Sequence, residues 1–295
     1  MRTVSSKDCI YAFAAQMEPV CWVKPGEVFR VEMRDALDGQ VTPDLALPRD
    51  DGGTALDGLD QVNVNPATGP VGVSGARPGQ TLAVDILDIA VAPQGYVTYG
   101  GRPRFFSHAG GLLEFNSAIR LPLRPMIGTI GVAPAQSCVS NRLPGDHGGN
   151  MDIKDVCAGA TLYLPVSQPG ALLAMGDAHS IQADGESSGQ GVETSAAATV
   201  RARLLERRLS EVPVLFFRGE LMTIGHGETL DVAARRAVSA MAQIIVANSS
   251  LAASDARVLI GLAGDVRVGQ MVNGLRTARV ALPVAVVPWA RPPAR

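Results

Sequence analysis

The sequence predicts a mainly β fold with irregular loops and a small α/β portion at the C-terminal end. Three observations carry this reading. The 295 residues include 32 glycines and 20 prolines, so turns recur at short intervals. Runs that alternate apolar and polar residues, the period of a half-buried strand, recur through the first two thirds. Helical spacing appears only in the last third.

Taken in order, Val28-Phe29-Arg30-Val31-Glu32-Met33 alternates after a Pro25-Gly26 turn and reads as a strand. The run from Thr81 to Ile89 sets Leu82, Val84 and Ile86 on one face and Asp85 on the other. Residues 43–70 show no periodicity and read as a long loop, and residues 95–120 as a second irregular excursion. Met126 to Val132 resumes as a strand whose glycines imply close backbone approach. Residues 141–150 read as a polar, glycine-rich turn. The runs from Thr161 to Val166 and from Ala171 to Gly176 form a candidate hairpin around Ser167-Gln168-Pro169-Gly170. Val192 to Leu204 alternates as one long strand. Ala233, Ala237, Met241, Ile244 and Ile245 share one face of a helix, with Asp231 as its cap. A second helix is expected to start at Ser254 and run toward Gly261 or Gly264. Residues 265–274 are ambiguous, and the chain returns to strand from Arg279 to Val287 before a Pro-rich tail. The expected organisation is a mainly β core over 1–225 that carries the site. A helical and strand portion over 226–295 packs on it.

Composition excludes several functions. Lys+Arg 26 against Asp+Glu 28 leaves a net charge of -2, without the clustered cations that a nucleic acid requires. No apolar run approaches the ~18 residues of a membrane span. The stretch from Cys9 to Ala15 is a marginal signal-peptide core with a thin charged flank, and it is read as part of the fold. Cys9, Cys21, Cys138 and Cys157 contain no C-x-x-C and are too sparse for a disulfide framework. Buried thiols in a reducing, cytoplasmic compartment are expected.

Three glycine-punctuated stretches concentrate acids and histidines. They are Asp146-His147-Gly148-Gly149-Asn150-Met151-Asp152, then Asp177-Ala178-His179 continuing to Asp184-Gly185-Glu186, then Glu193 after Gly191. Asp177 and His179 lie two apart, so a continuing strand projects both to one face. His147 and Asp152 flank a Gly-Gly hinge that allows both to fold back onto one centre. Any one of these acids alone is ordinary turn chemistry. Turns do not call for histidine beside the acids, however, and the three loops together point to a shared site. A mixed imidazole and carboxylate set suits Zn²⁺, with Ca²⁺ or Mn²⁺ as alternatives. No HExxH signature is present. His108 reads as a loop residue and His226 as a turn residue, while Cys138 and Cys157 read as buried thiols rather than nucleophiles. Ser187-Ser188-Gly189 lacks a nucleophile elbow, and the run from Asp60 to Asn65 lacks EF-hand spacing.

A resemblance is carried by several blocks in order. These include Asn65-Pro66-Ala67-Thr68-Gly69-Pro70-Val71, Gly75-Ala76-Arg77-Pro78-Gly79-Gln80 and Met126-Ile127-Gly128-Thr129-Ile130-Gly131. His147-Gly148-Gly149-Asn150-Met151-Asp152, Gly159-Ala160-Thr161-Leu162-Tyr163-Leu164-Pro165-Val166 and Gly176-Asp177-Ala178-His179 with Asp184-Gly185-Glu186 follow. With them the sequence resembles the acetamidase/formamidase family. The resemblance implies a β-sandwich-type core, a homo-oligomer, a divalent metal usually taken as zinc, and hydrolysis of short aliphatic amides to carboxylate and ammonia. The length is the shorter, acetamidase-like one. Gln182-Ala183-Asp184-Gly185-Glu186 stands where Gln-Gly-Asp-Gly-Glu is more typical, so a γ-lactam or other small cyclic amide stays open as substrate.

On this reading His147, Asp152, Asp177 and His179 are the candidate metal ligands. Glu186 is the candidate general base and acid, and Glu193 is second to it or a further ligand. Backbone N–H groups of Gly148 and Gly149, with the Asn150 amide, are candidates for positioning the substrate oxygen. Two other readings compete. One is a thiol amidase using Cys138 or Cys157; the other is a non-catalytic β-sandwich module holding structural Ca²⁺. The histidines count against the latter.

Overall fold

Alternation along the strands builds two large sheets that share one core. The computed structural model describes residues 1–46, 58–99, 102–136 and 138–290. The larger sheet has nine strands in the order Arg2–Val4, Val28–Met33, Ala196–Leu205, Thr81–Val91, Thr161–Pro165, Val214–Phe217, Glu220–Gly227, Arg276–Pro283 and Asp265–Val268. The smaller has seven, with Leu173–His179 between Met126–Gly131 and Ala67–Val73. Phe29, Val31, Leu82, Val84, Ile86 and Val200 from the larger sheet meet Val71, Ile127, Ile130, Leu173 and Met175 from the smaller, all buried. The fold is mainly β, as the strand pattern predicts, and a sandwich, as the family resemblance implies.

The strand Thr81–Val91 shows how both faces of the larger sheet are used. Leu82, Val84 and Ile86 enter the sandwich core, while Ala83 points to a second core shared with the helices. Asp85 lies on that second face and is buried rather than solvated. It is held by Arg203 Nη2 at 2.7 Å, Arg201 Nε at 3.0 Å and the Thr161 hydroxyl at 2.8 Å.

Helix α1, Leu230–Asn248, buries Ala233, Ala237, Met241, Ile244 and Ile245, the stripe expected from spacing. Its cap is Thr229, whose hydroxyl accepts from Val232 N, and not Asp231. The helix starts one residue before Asp231, which therefore lies in the first turn, where a carboxylate complements the helix dipole. Helix α2, Ala253–Ala263, begins after Ala252 without a side-chain cap, so Ser254 is inside it. It ends at Gly264, whose N–H donates to Ile260 O at 2.8 Å. No helix among the described residues is long and apolar enough to cross a membrane.

Other expectations are corrected. The strands Thr161–Pro165 and Leu173–His179 do not form a hairpin; each joins a different sheet. Gly170, Ala171 and Leu172 all take positive φ, 80°, 58° and 62°, and this left-handed run carries the chain from one sheet to the other. The excursion 95–120 is ordered as a four-stranded sheet of Gln94–Val97, Arg104–Ala109, Leu112–Glu114 and Arg120–Pro122. His108 belongs to its second strand. His226 lies in the strand Glu220–Gly227 rather than in a turn, with Nε2 3.2 Å from Asp146 Oδ1. The long strand begins at Ala196, not Val192. Residues 144–145 and 148–150 pair as short strands instead of a turn. Cys138 is exposed, and Cys157 is partly buried. Of the loop 43–70, Pro43–Ala46 is a 3-10 turn and residues 47–57 lie outside the described residues, as does the tail 291–295.

One buried ion pair ties the C-terminal strands to the loops of the smaller sheet. Arg279, fully buried, reaches Asp155 Oδ2 at 2.7 Å, Asp184 Oδ1 at 2.9 Å and Val268 O at 2.7 Å. Lys154 Nζ also lies 2.8 Å from Asp184 Oδ2. Removing one partner of a buried pair strands the others without compensation. Arg279→Leu is therefore expected to lower unfolding stability by about 3–5 kcal/mol, read as a shift of the denaturation midpoint. A midpoint within experimental error of the parent chain overturns this.

Candidate metal centre and active site

Strands of the smaller sheet build the floor of a 620 Å³ cavity. Asp177 and His179 occupy the end of Leu173–His179 and face the same side, as their spacing predicts. Asp152 follows the short strand Gly148–Asn150, beside Asn150. Gly128, on the strand between them, leaves the room these carboxylates need. A Cβ there would lie 2.5 Å from Asp152 Oδ1 and 2.9 Å from Asp177 Oδ2. Glu186 comes from the loop held by Arg279 through Asp184. Glu193 is fixed by the four-stranded sheet, because its N–H and C=O exchange 2.9 Å hydrogen bonds with Tyr96. Tyr96 is itself anchored by its hydroxyl, which donates to Asp35 Oδ1 at 2.6 Å.

Five candidates therefore converge. The atoms of Asp152, His179 and Glu186 lie within 4.8 Å of one another, as do those of Asp177, His179 and Glu193, and all five residues are buried. Asn150 also lines the cavity. His147 stays outside the group: its ring packs edge-on against Phe13 at 5.0 Å, and burial pushes its pKa down to about 4. Gly148 and Gly149 lie in the ladder between Met126–Gly131 and Pro144–Gly145 instead of lining the cavity.

Geometry fixes the His179 ring. Nδ1 lies 2.7 Å from Gln182 Oε1, and Gln182 Nε2 donates to Asp152 O at 2.9 Å. The amide nitrogen is thus committed, so Oε1 must accept and Nδ1 must carry the proton. Nε2 then faces Asp177 Oδ1 at 3.4 Å and Glu193 Oε1 at 3.2 Å, as the ring atom left to hold a proton or a cation between them. Nε2, Glu186 Oε2 and Glu193 Oε2 are buried without a hydrogen-bond partner. An imidazole nitrogen facing buried carboxylates is a donor set suited to a cation.

The electrostatics agree. Burial first, then Glu186 and Asp177 beside it, holds the Asp152 carboxyl well above the usual range. Burial and Asp177 push Glu186 up to about 7 and Glu193 up to about 8, with His179 opposing both shifts. Burial alone would depress the His179 imidazole, but Glu193 and Asp177 override it and hold it well above 6.5. Burial and mutual repulsion outweigh the one imidazole, so these carboxyls hold their protons more readily than free ones. One imidazole among carboxylates fits a divalent ion.

Amide donors complete the floor. Asn273 Nδ2 donates to Asp152 Oδ2 at 2.8 Å and Asn65 Nδ2 to Asp177 Oδ2 at 3.2 Å. The Asn150 amide nitrogen faces Asp152 Oδ2 at 2.9 Å and Asp177 Oδ2 at 3.1 Å. Asn65, Asp152, Asp177 and Glu186 all hold positive φ, between 48° and 56°. Left-handed residues that are not glycine cost energy and persist only where their surroundings demand them. Sequence reading missed Asn65, Gln182 and Asn273 as site residues. Asn in the left-handed region is a usable signal for Asn65. Nothing local marks Asn273, which lies in the ambiguous stretch before the last strand.

Comparison with known proteins follows this geometry. Residues 6–118 and 138–274 match the acetamidase/formamidase family. A formamidase of Methylophilus methylotrophus is 27% identical over 57% of this chain and 56% of its own length, so the match spans little more than half of that protein. The crystal structure of an acetamidase from Bacillus halodurans superposes with a TM-score of 0.90 at 36% identity, covering 97% of this chain and 98% of that one. A predicted acetamidase/formamidase of Thermoanaerobacter tengcongensis superposes at 0.91 with 33% identity, covering 97% of each. The chain belongs to the acetamidase/formamidase family.

Proposed function

We propose that this chain is a metal-dependent amidase that cleaves short aliphatic amides to carboxylate and ammonia. The observation that carries the reading is the buried cluster in which His179 Nε2 lies beside the carboxylates of Asp177 and Glu193, with Asp152 and Glu186 adjoining. Family membership supplies the reaction class.

Asp177, His179 and Glu193 would hold the ion, with Asp152 beside them and zinc as the ion best matched to an imidazole and carboxylate set. When bound, such an ion supplies Lewis-acid polarisation of a carbonyl and lowers the pKa of water. Glu186 is suited to proton transfer. Its Oε1 accepts from Gly191 N at 2.9 Å, which holds the carboxyl in place, while Oε2 is left free. The free oxygen allows it to take a proton from the attacking water and deliver it to the departing nitrogen. The Asn150 amide, at the floor, faces Asp152 and Asp177 and would act by holding those carboxylates in place. His147 has no part in this reading.

The thiol alternative loses support. Cys157 is pushed up to about 11 by burial and by Asp155, which leaves little thiolate at neutral pH, and neither it nor Cys138 lines the cavity. The four free cysteines suit a reducing, cytoplasmic setting.

Two measurements test the proposal. Asp177→Ala is expected to lose bound metal and ammonia release together. Glu186→Gln should keep its metal and lose ~10²-fold or more in kcat, the range of proton-transfer groups. Glu186→Gln at parental turnover would remove Glu186 from the chemistry. In a separate experiment, chelation is expected to inactivate and thiol alkylation to leave ammonia release intact; the reverse pattern would favour the thiol enzyme.

A further inference from the structure

The cavity is much larger than its expected substrates. At 620 Å³ it could hold roughly twenty waters of ~30 Å³ each, whereas acetamide has only four heavy atoms. Its wall carries Leu37, Val64, Leu143 and Val272, which offer apolar surface above the polar floor.

Arg142 also lines this cavity, and it is exposed whereas Asp177, His179 and Glu193 are buried. The lining therefore combines buried carboxylates with an exposed arginine, whose Nη1 approaches the main-chain oxygen of Gln61, another lining residue. Leu143 C=O accepts from Asn150 N at 3.2 Å, which fastens the Arg142 turn beside the floor. Among the described residues, the one hydrogen bond of the Arg142 guanidinium is a long one, Nη1 to Gln61 O at 3.4 Å. The other arginines that face acids, such as Arg203 and Arg267, are committed to them. A guanidinium with most of its five donors free is a fork for a carboxylate.

We propose, resting on the amidase reading, that the preferred substrate is a half-amide of a short dicarboxylic acid, with its carboxylate on Arg142. The amide lies at the floor and the methylenes against the apolar wall. Arg142 attracts the carboxylate end, which favours this orientation over its reverse. Hydrolysis breaks the C–N bond, forms a C–O bond with water, and releases ammonia and the dicarboxylate.

The test uses the purified full chain with acetamide, succinamate and the neutral 4-oxopentanamide, scored by ammonia release. Succinamate is expected to exceed 4-oxopentanamide in kcat/KM by ~10-fold or more, the scale of a charge-assisted hydrogen bond. The preference should shrink as salt rises. Arg142→Gln is expected to collapse the ratio of the two kcat/KM values toward one. Ammonia from both amides at equal kcat/KM in the parent chain overturns the charge preference and leaves the amidase intact. Ammonia from no amide overturns both.

Discussion

Four carboxylates and one imidazole sit together in a buried cavity, and the surrounding structure is organised around that concentration of charge. Removing ionised carboxylates from water is expensive unless something compensates them. Within the protein, compensation comes as hydrogen bonds from Asn65, Asn150 and Asn273 to Asp152 and Asp177. These donors carry dipoles and no net charge, so they orient the carboxylates without neutralising them. The raised pKa values of Glu186 and Glu193 are the remaining deficit, and a bound cation is the natural complement.

Holding such a site still requires rigid supports from several directions. The sandwich supplies two strands for Asp177, His179 and Asp152, with Gly128 giving the carboxylates clearance. The small four-stranded sheet pins Glu193 through Tyr96, and Arg279 pins the Glu186 loop through Asp184. Left-handed backbone at Asn65, Asp152, Asp177 and Glu186 is the local cost, offset by the packing and hydrogen bonds around it. Gln182 has a distinct duty. By pinning the Nδ1–H of His179, it turns Nε2 toward Asp177 and Glu193.

Within this frame the chemistry divides cleanly. Asp177, His179 and Glu193 share one set of close contacts, and Glu186 stands at its edge with one oxygen tied and one free. The exposed Arg142 lines the same cavity as these buried acids.

By itself the sequence determined the local pattern: the strands at Val28–Met33 and Met126–Gly131, the buried stripe of α1, and the spacing of Asp177 and His179. Each depends on periodicity within a few residues, which one segment carries unaided. Tertiary structure alone decided that Thr161–Pro165 and Leu173–His179 join different sheets, that Glu193 pairs with Tyr96, and that Asn65 and Asn273 meet Asp177 and Asp152. It also set His147 against Phe13 and apart from the other candidates, although it is only two residues before Gly149. The reason is physical. Which strand pairs with which, and which side chains share a cavity, depend on partners far away in the chain, and a local pattern contains no information about distant partners.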